Sequence, residues 1–110
     1  MPAPKVIHVS FAGLQLSVFT IGVLAEEIGR TTTCIRRWLR LGIAPRPVFK
    51  AKNGYRVFCR QELNTYKRVC AAEKVGSGRA FAATQFSARL HEEVDEIRSA
   101  FRRLADEGSV

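Results

Sequence analysis

A helix starting at the threonines of "TTTCIRRWLRLG", residues 31 to 42, cannot run past its own glycine. Gly42 suits the left-handed position that ends a helix. Pro45 and Pro47 follow, each lacking the amide hydrogen a further turn needs. Thr31 or Thr32 can cap the other end, so the segment has room for about three turns. On a wheel of about 100° per residue, Ile35, Trp38 and Leu39 gather on one side with Cys34 at their edge. Thr33, Arg36, Arg37 and Arg40 gather on the other, within an arc of about 100°. So short a helix is not stable alone. It must lay Trp38 on a core and turn its guanidinium groups toward water or an anion.

The flanking sequence supplies that core. In "IGVLAEEIG", Thr20 stands where it can cap a short helix, Ile21, Leu24, Ala25 and Ile28 share one face, and Gly29 ends it. Upstream, "VIHVSFAGLQLSVF" alternates. A two-residue turn at Ala12-Gly13 pairs Phe11 with Leu14, Val9 with Leu16 and Ile7 with Val18, and puts all six on one face. Downstream, "PVFK" and "YRVFC" flank "AKNG", whose Asn53-Gly54 is a strong hairpin turn because both residues tolerate positive φ. A helix from about Arg60 to Lys74 aligns Leu63, Tyr66 and Cys70. "GSG" at 76 to 78 has the composition of a flexible joint. A last helix, about Thr84 to Glu107, carries Phe86, Leu90, Val94, Ile97, Phe101 and Leu104 within about 80° of arc, as a helix-helix seam requires.

Charge divides along the same joint. The chain of 110 residues has 18 Lys+Arg against 10 Asp+Glu, a net charge of +8 and a pI near 10.1, which favours a polyanionic partner. Residues 30 to 68 hold eleven of the basic side chains and one acid, Glu62, whereas residues 80 to 107 hold four basic and six acidic side chains. Two partners of different character are expected. No apolar run approaches the roughly 18 residues that span a bilayer, and "MPAPKVIHVSF" lacks a signal-peptide apolar region. No membrane partner is expected. Cys34, Cys59 and Cys70, odd in number and unrelated in spacing, fit free thiols in a reducing cytoplasm and match no zinc motif.

Two short helices joined at Gly29, the second basic on its outer face, have the arrangement of a helix-turn-helix. A basic helix face is more often merely solvated. Here the threonine-rich start, the tight turn and the basic hairpin that follows all point to duplex DNA. The major groove admits one helix, and arginine can read guanine bidentately or hold phosphate. Arg36 and Arg37 are the expected base contacts, with Thr33 and Arg40 beside them. Arg46, Lys50, Lys52 and Arg56 decorate the hairpin, whose Asn53-Gly54 tip would project as a wing; Lys52 and Arg56 are expected to hold phosphate. Tyr55 and Phe58 could stack on bases, as in a module for RNA or single strands, but are expected to pack under the wing.

The run "FTIGVLAEEIGRTTTCIRRWLRLGIAPRPVFKAKNGYRVFCRQEL" closely resembles the DNA-binding domain of the MerR family and the related excisionase-type winged helices, over residues 19 to about 75. The shared elements are "FTIG", the "LA…G" first helix, "IRRW…G", the wing "NGYRVF" and the helix start after it. The resemblance implies a recognition helix in the major groove and a wing on the backbone, with contacts from Thr32, Thr33, Arg36, Arg37, Tyr55 and Arg56. Val23 stands where that family often has glutamate, and Phe58 where it often has tyrosine.

The expected fold class is mainly α with small β-hairpins: a winged helix-turn-helix plus a C-terminal amphipathic, dimerising helix. Residues 1–18 form an N-terminal hairpin extension, which either extends the wing sheet or joins a subunit interface. Residues 19–75 form the DNA-binding domain, 76–83 a hinge and 84–107 the oligomerisation helix. Two readings compete for Phe86, Leu90, Val94, Ile97, Phe101 and Leu104: the helix packs back on its own domain, or, as the flexible joint and the reversal of charge favour, it pairs with a second copy, as a homodimer on a pseudo-palindromic site, or with a protein partner. Deleting residues 79–110 would then abolish dimerisation and weaken DNA binding. His8 and His91 have no nucleophile beside them and are expected to be solvated; no enzyme, metal or cofactor is expected. The function expected is a cytoplasmic, nucleoid-associated transcriptional regulator that binds double-stranded DNA. Its rival is an accessory recognition factor (a recombination directionality factor, or the small subunit of a viral packaging terminase) that docks an enzyme through the last helix.

Overall fold

The alternating N-terminus forms β1 (Val6–Phe11) and β2 (Leu14–Thr20) in the computed structural model, which describes residues 6–50, 56–73 and 83–108. The register pairs Ile7 with Val18, Val9 with Leu16 and Phe11 with Leu14, as period-two patterning requires. Ala12 (φ 52°) and Gly13 (φ 79°) both take positive φ in the turn. For alanine that conformation costs roughly 1–2 kcal/mol. Val18 is fully buried, but Leu14, beside the turn, is 47% exposed.

Two short helices follow. In α1 (Ile21–Ile28), Leu24 and Ala25 are buried, and Gly29 (φ 69°) closes the helix by sending its amide hydrogen back to Ala25 and Glu26. Thr20 holds the capping position with extended backbone, yet its side chain makes no capping hydrogen bond. Thr31 does cap α2 (Thr32–Arg40): its hydroxyl accepts from the Cys34 amide at 3.1 Å. Leu41 ends α2 and Gly42 (φ 76°) turns the chain away.

The second hairpin consists of β3 (Phe49–Lys50) and β4 (Arg56–Cys59), pairing Lys50 with Arg56; its tip, residues 51–55, lies outside the described residues. β2 also pairs with β4, so the strand order is β1-β2-β4-β3 and the N-terminal hairpin extends the wing sheet. The expected extension of that sheet is thus what the strand order shows. Both faces of the central strands are covered. Phe19 and Phe58 enter the helical core, while Val18, Val57 and Cys59 face a second cluster. Phe58 is fully buried against Tyr66, ring centroids 6.0 Å apart, which removes it from any base stack.

α3 (Arg60–Ala72) starts directly from β4, and its buried side is broader than the expected stripe of Leu63, Tyr66 and Cys70. Glu62 is the informative addition, 1% exposed, with Oε1 accepting from the Cys59 amide (3.1 Å) and Oε2 from the Val48 amide (3.4 Å). One carboxylate thus ties the start of α3 to the strand entering the wing. Burial raises its pKa above the ordinary 4.5, against the lowering pull of those hydrogen bonds and of Arg98. A raised folded value means that the native state holds the proton longer, so this group's contribution declines as pH rises through the window above 4.5. Glu62→Gln strands one buried amide hydrogen and is expected to cost ~1–3 kcal/mol. In urea unfolding, the wild-type advantage over this variant should shrink as pH rises from 4.5. An advantage that grew with pH would refute the assignment.

The largest departure from expectation is α4 (Ala83–Gly108). Phe86, Leu90 and Val94 are fully buried within this one chain, where α4 packs against α3 and the Phe86 ring lies 5.0 Å from Trp38 of α2. Ile97 and Phe101 continue onto the sheet cluster. There Phe101 meets Phe49 (4.9 Å) and Phe11 (5.6 Å), and Phe11 meets Phe49 (5.3 Å), all edge to face. The stripe expected to pair with a second copy is therefore mostly occupied by the chain's own core. The physical reason is Trp38 and the open sheet face, which offer apolar surface already attached. The expected "GSG" joint lies outside the described residues. The fold is mainly α with small β-hairpins.

Candidate nucleic-acid interface

The Thr31 cap sets where α2 begins, and Ile35 (fully buried) and Trp38 (5% exposed) set how it is rotated. Cys34 and Leu39 pack at the edge of the same core. With that side anchored, the helical repeat must turn Thr33, Arg36, Arg37 and Arg40 to solvent, and all four are exposed. Thr32, in the first turn, is half-buried. The sheet then contributes from outside the helix. Arg56 on β4 lines one concavity together with Thr33, Arg36, Arg37, Arg40 and Leu41. Residues from two hairpin and helix elements, up to 23 positions apart, meet there because β4 is held beside β2.

Four cations elsewhere in the molecule have acidic partners: Lys67 with Glu27 (3.0 Å), Arg89 with Glu73 (3.2 Å), Arg98 with Asp95 (2.8 Å), and Arg68 with Glu93. Among the described residues, Arg36, Arg37, Arg40 and Arg56 have no carboxylate within 4.0 Å. Arg36 and Arg40 are like charges one turn apart, which weakens a helix slightly. The negative C-terminal end of the helix dipole offsets part of this for Arg37 and Arg40 in the last turn. A line of phosphates would satisfy the rest.

α4 holds the segment between the helix and the wing. His91 Nε2 lies 2.9 Å from the Gly42 carbonyl oxygen, and Arg98 donates to the Arg46 carbonyl at 2.6 Å. His91 is thus half-buried and partnered, not solvated as expected. Arg46 itself is exposed beside this anchor. Sequence reasoning missed His91, Arg98 and Leu41. The first two act on carbonyls 49 and 52 residues away, for which no local pattern exists.

The remaining expected contacts divide in two. Lys50 pairs with Arg56 through its backbone. Lys52, Asn53 and Tyr55 lie outside the described residues. Of the expected seam, Leu104 remains half-buried at the open end, lining a groove with Ile97, Phe101 and the α3 residues Gln61 and Asn64.

Burial pushes the Cys59 thiol up to about 12 and the Cys70 thiol to about 11, the nearby Glu62 carboxylate adding to the first, so both stay protonated at neutral pH. Among the described residues no three His, Cys, Asp or Glu side chains converge as a metal site would need, and no helix is long and apolar enough to cross a membrane. Comparison with family models, curated protein sequences and solved structures returns no match for this chain.

Proposed function

We propose that this chain binds double-stranded DNA, with α2 laid in the major groove and the β3–β4 hairpin set against the backbone, and that it serves as a sequence-specific transcriptional regulator in the cytoplasm. One observation carries the proposal: four arginines from α2 and β4 share a concavity and lack acidic partners among the described residues. Arg36 and Arg37 are assigned to bases; Thr33, Arg40, Arg46 and Arg56, all exposed, are assigned to positioning the duplex. The resemblance of residues 19 to 75 to the MerR and excisionase-type winged helices supports the same assignment.

Pairing with a second copy is narrowed by the burial of Phe86, Leu90 and Val94. What the stripe leaves for an outside partner is Leu104 and the half-buried sides of Ile97 and Phe101. A homodimer, or an enzyme docked as in the accessory-factor alternative, would use that end. Salt-dependent binding tests the central proposal. On duplex DNA selected from a random pool, log K against log salt is expected to fall with a slope of about −3 or steeper, one unit per phosphate neutralised. Equal affinity for single strands, or a flat salt profile, would refute it.

A further inference from the structure

Among the described residues two large apolar side chains stand exposed, Leu14 beside a hairpin turn and Leu41 at the end of α2. A single exposed leucine is ordinary on a protein surface. Leu41 is distinguished by its neighbours. It is 56% exposed within the concavity lined by Thr33, Arg36, Arg37, Arg40 and Arg56. Leu39 and Ile43, two residues to either side, pack against the core, whereas Leu41 belongs to neither core cluster. Whatever the arginines hold must also cover Leu41.

Its place on the helix says what it would meet. Thr33, Arg37 and Leu41 follow at intervals of four and form one ridge along the outer side of α2. Each interval advances about 6 Å along the helix axis, close to two base-pair steps of about 3.4 Å. In the major groove the apolar feature of a base pair is the methyl group on pyrimidine C5, which thymine carries. 5-Methylcytosine presents the same group at the same place.

Resting on the duplex-DNA proposal above, we infer that Leu41 is a specificity-determining residue that reads the C5-methyl group of a pyrimidine about two base pairs from the base read by Arg37. Thymine and 5-methylcytosine share the chemistry it recognises. Arg37 contributes directed hydrogen bonds and Leu41 shape and desolvation, so the ridge would combine two modes of readout.

The test uses the full chain and its preferred duplex, selected from a random pool. Each thymine in turn is replaced by deoxyuracil, which removes only the methyl group. At one position the wild type is expected to lose about fourfold in affinity, the effect of returning one methyl-sized group to water. Leu41→Ala should bind thymine and deoxyuracil there equally, while keeping wild-type thermal stability. Placing cytosine and 5-methylcytosine at that position distinguishes the two sources: a restored preference for the methylated base assigns the readout to the methyl group whichever base bears it, and its absence restricts the readout to thymine. Tight, selective binding with no thymine–deoxyuracil difference at any position, or the same difference in Leu41→Ala, overturns this inference and leaves the DNA proposal standing. Failure to bind any duplex selectively overturns both.

Discussion

Deleting residues 79–110 is expected to unfold the protein rather than to separate a dimer. The deletion removes Phe86, Leu90 and Val94 from the core and bares the Trp38 ring against which Phe86 packs. Substituting one such residue shows the scale. Leu90→Ala leaves a cavity at a fully buried site and should cost about 2–5 kcal/mol, against a total stability of about 5–15 kcal/mol for a domain. Removing all three exceeds what so small a core can absorb. The check is thermal or urea unfolding followed by circular dichroism, in which the truncated chain should show no cooperative transition. A truncated chain that melts cooperatively and still binds DNA would show that α4 is an appendage after all.

The second large effect concerns DNA. Arg37→Ala is expected to lose about 1–3 kcal/mol at the preferred site if the contact is bidentate, roughly tenfold to a hundredfold, and to relax the preference at one base pair. Arg36→Ala should do the same at another. Arg56→Ala should weaken all sequences alike and lower the salt slope by about one. Because these side chains are exposed and unpaired among the described residues, unfolding midpoints should hardly move. Affinities for the selected site and a scrambled duplex, measured side by side at two salt concentrations, separate the roles. A uniform loss from Arg37→Ala would reassign that residue to phosphate.

Much of the architecture could be read from neighbours a turn apart. The Thr31 cap, the glycines at 29 and 42, and the alternation on either side of Ala12-Gly13 each act over a few residues, and each appears where its chemistry puts it. The outward turn of the arginines was equally legible, since Ile35 and Trp38 leave the helix one way to rotate. Partnership at a distance was not. The spacing of Phe86, Leu90 and Val94 states that one side of α4 is apolar but not whose surface covers it; intramolecular and intermolecular seams have the same periodicity. Thr20 shows a smaller failure of the same kind, a residue suited to capping whose hydroxyl does not cap. Glu62 reads in sequence as the one acid in a basic stretch, and only the fold reveals the two amide hydrogens that hold it inside.

The two carbonyl anchors on α4 have a mechanical consequence. With Gly42 held by His91 and Arg46 by Arg98, the connector between α2 and the wing is pinned at both ends before any ligand arrives. Its freedom is lost once, during folding, so docking need not freeze it again. Under the duplex-DNA proposal, a connector fixed in this way leaves the bending to the double helix, and target choice would then reflect how easily a sequence flexes as well as which atoms its edges display.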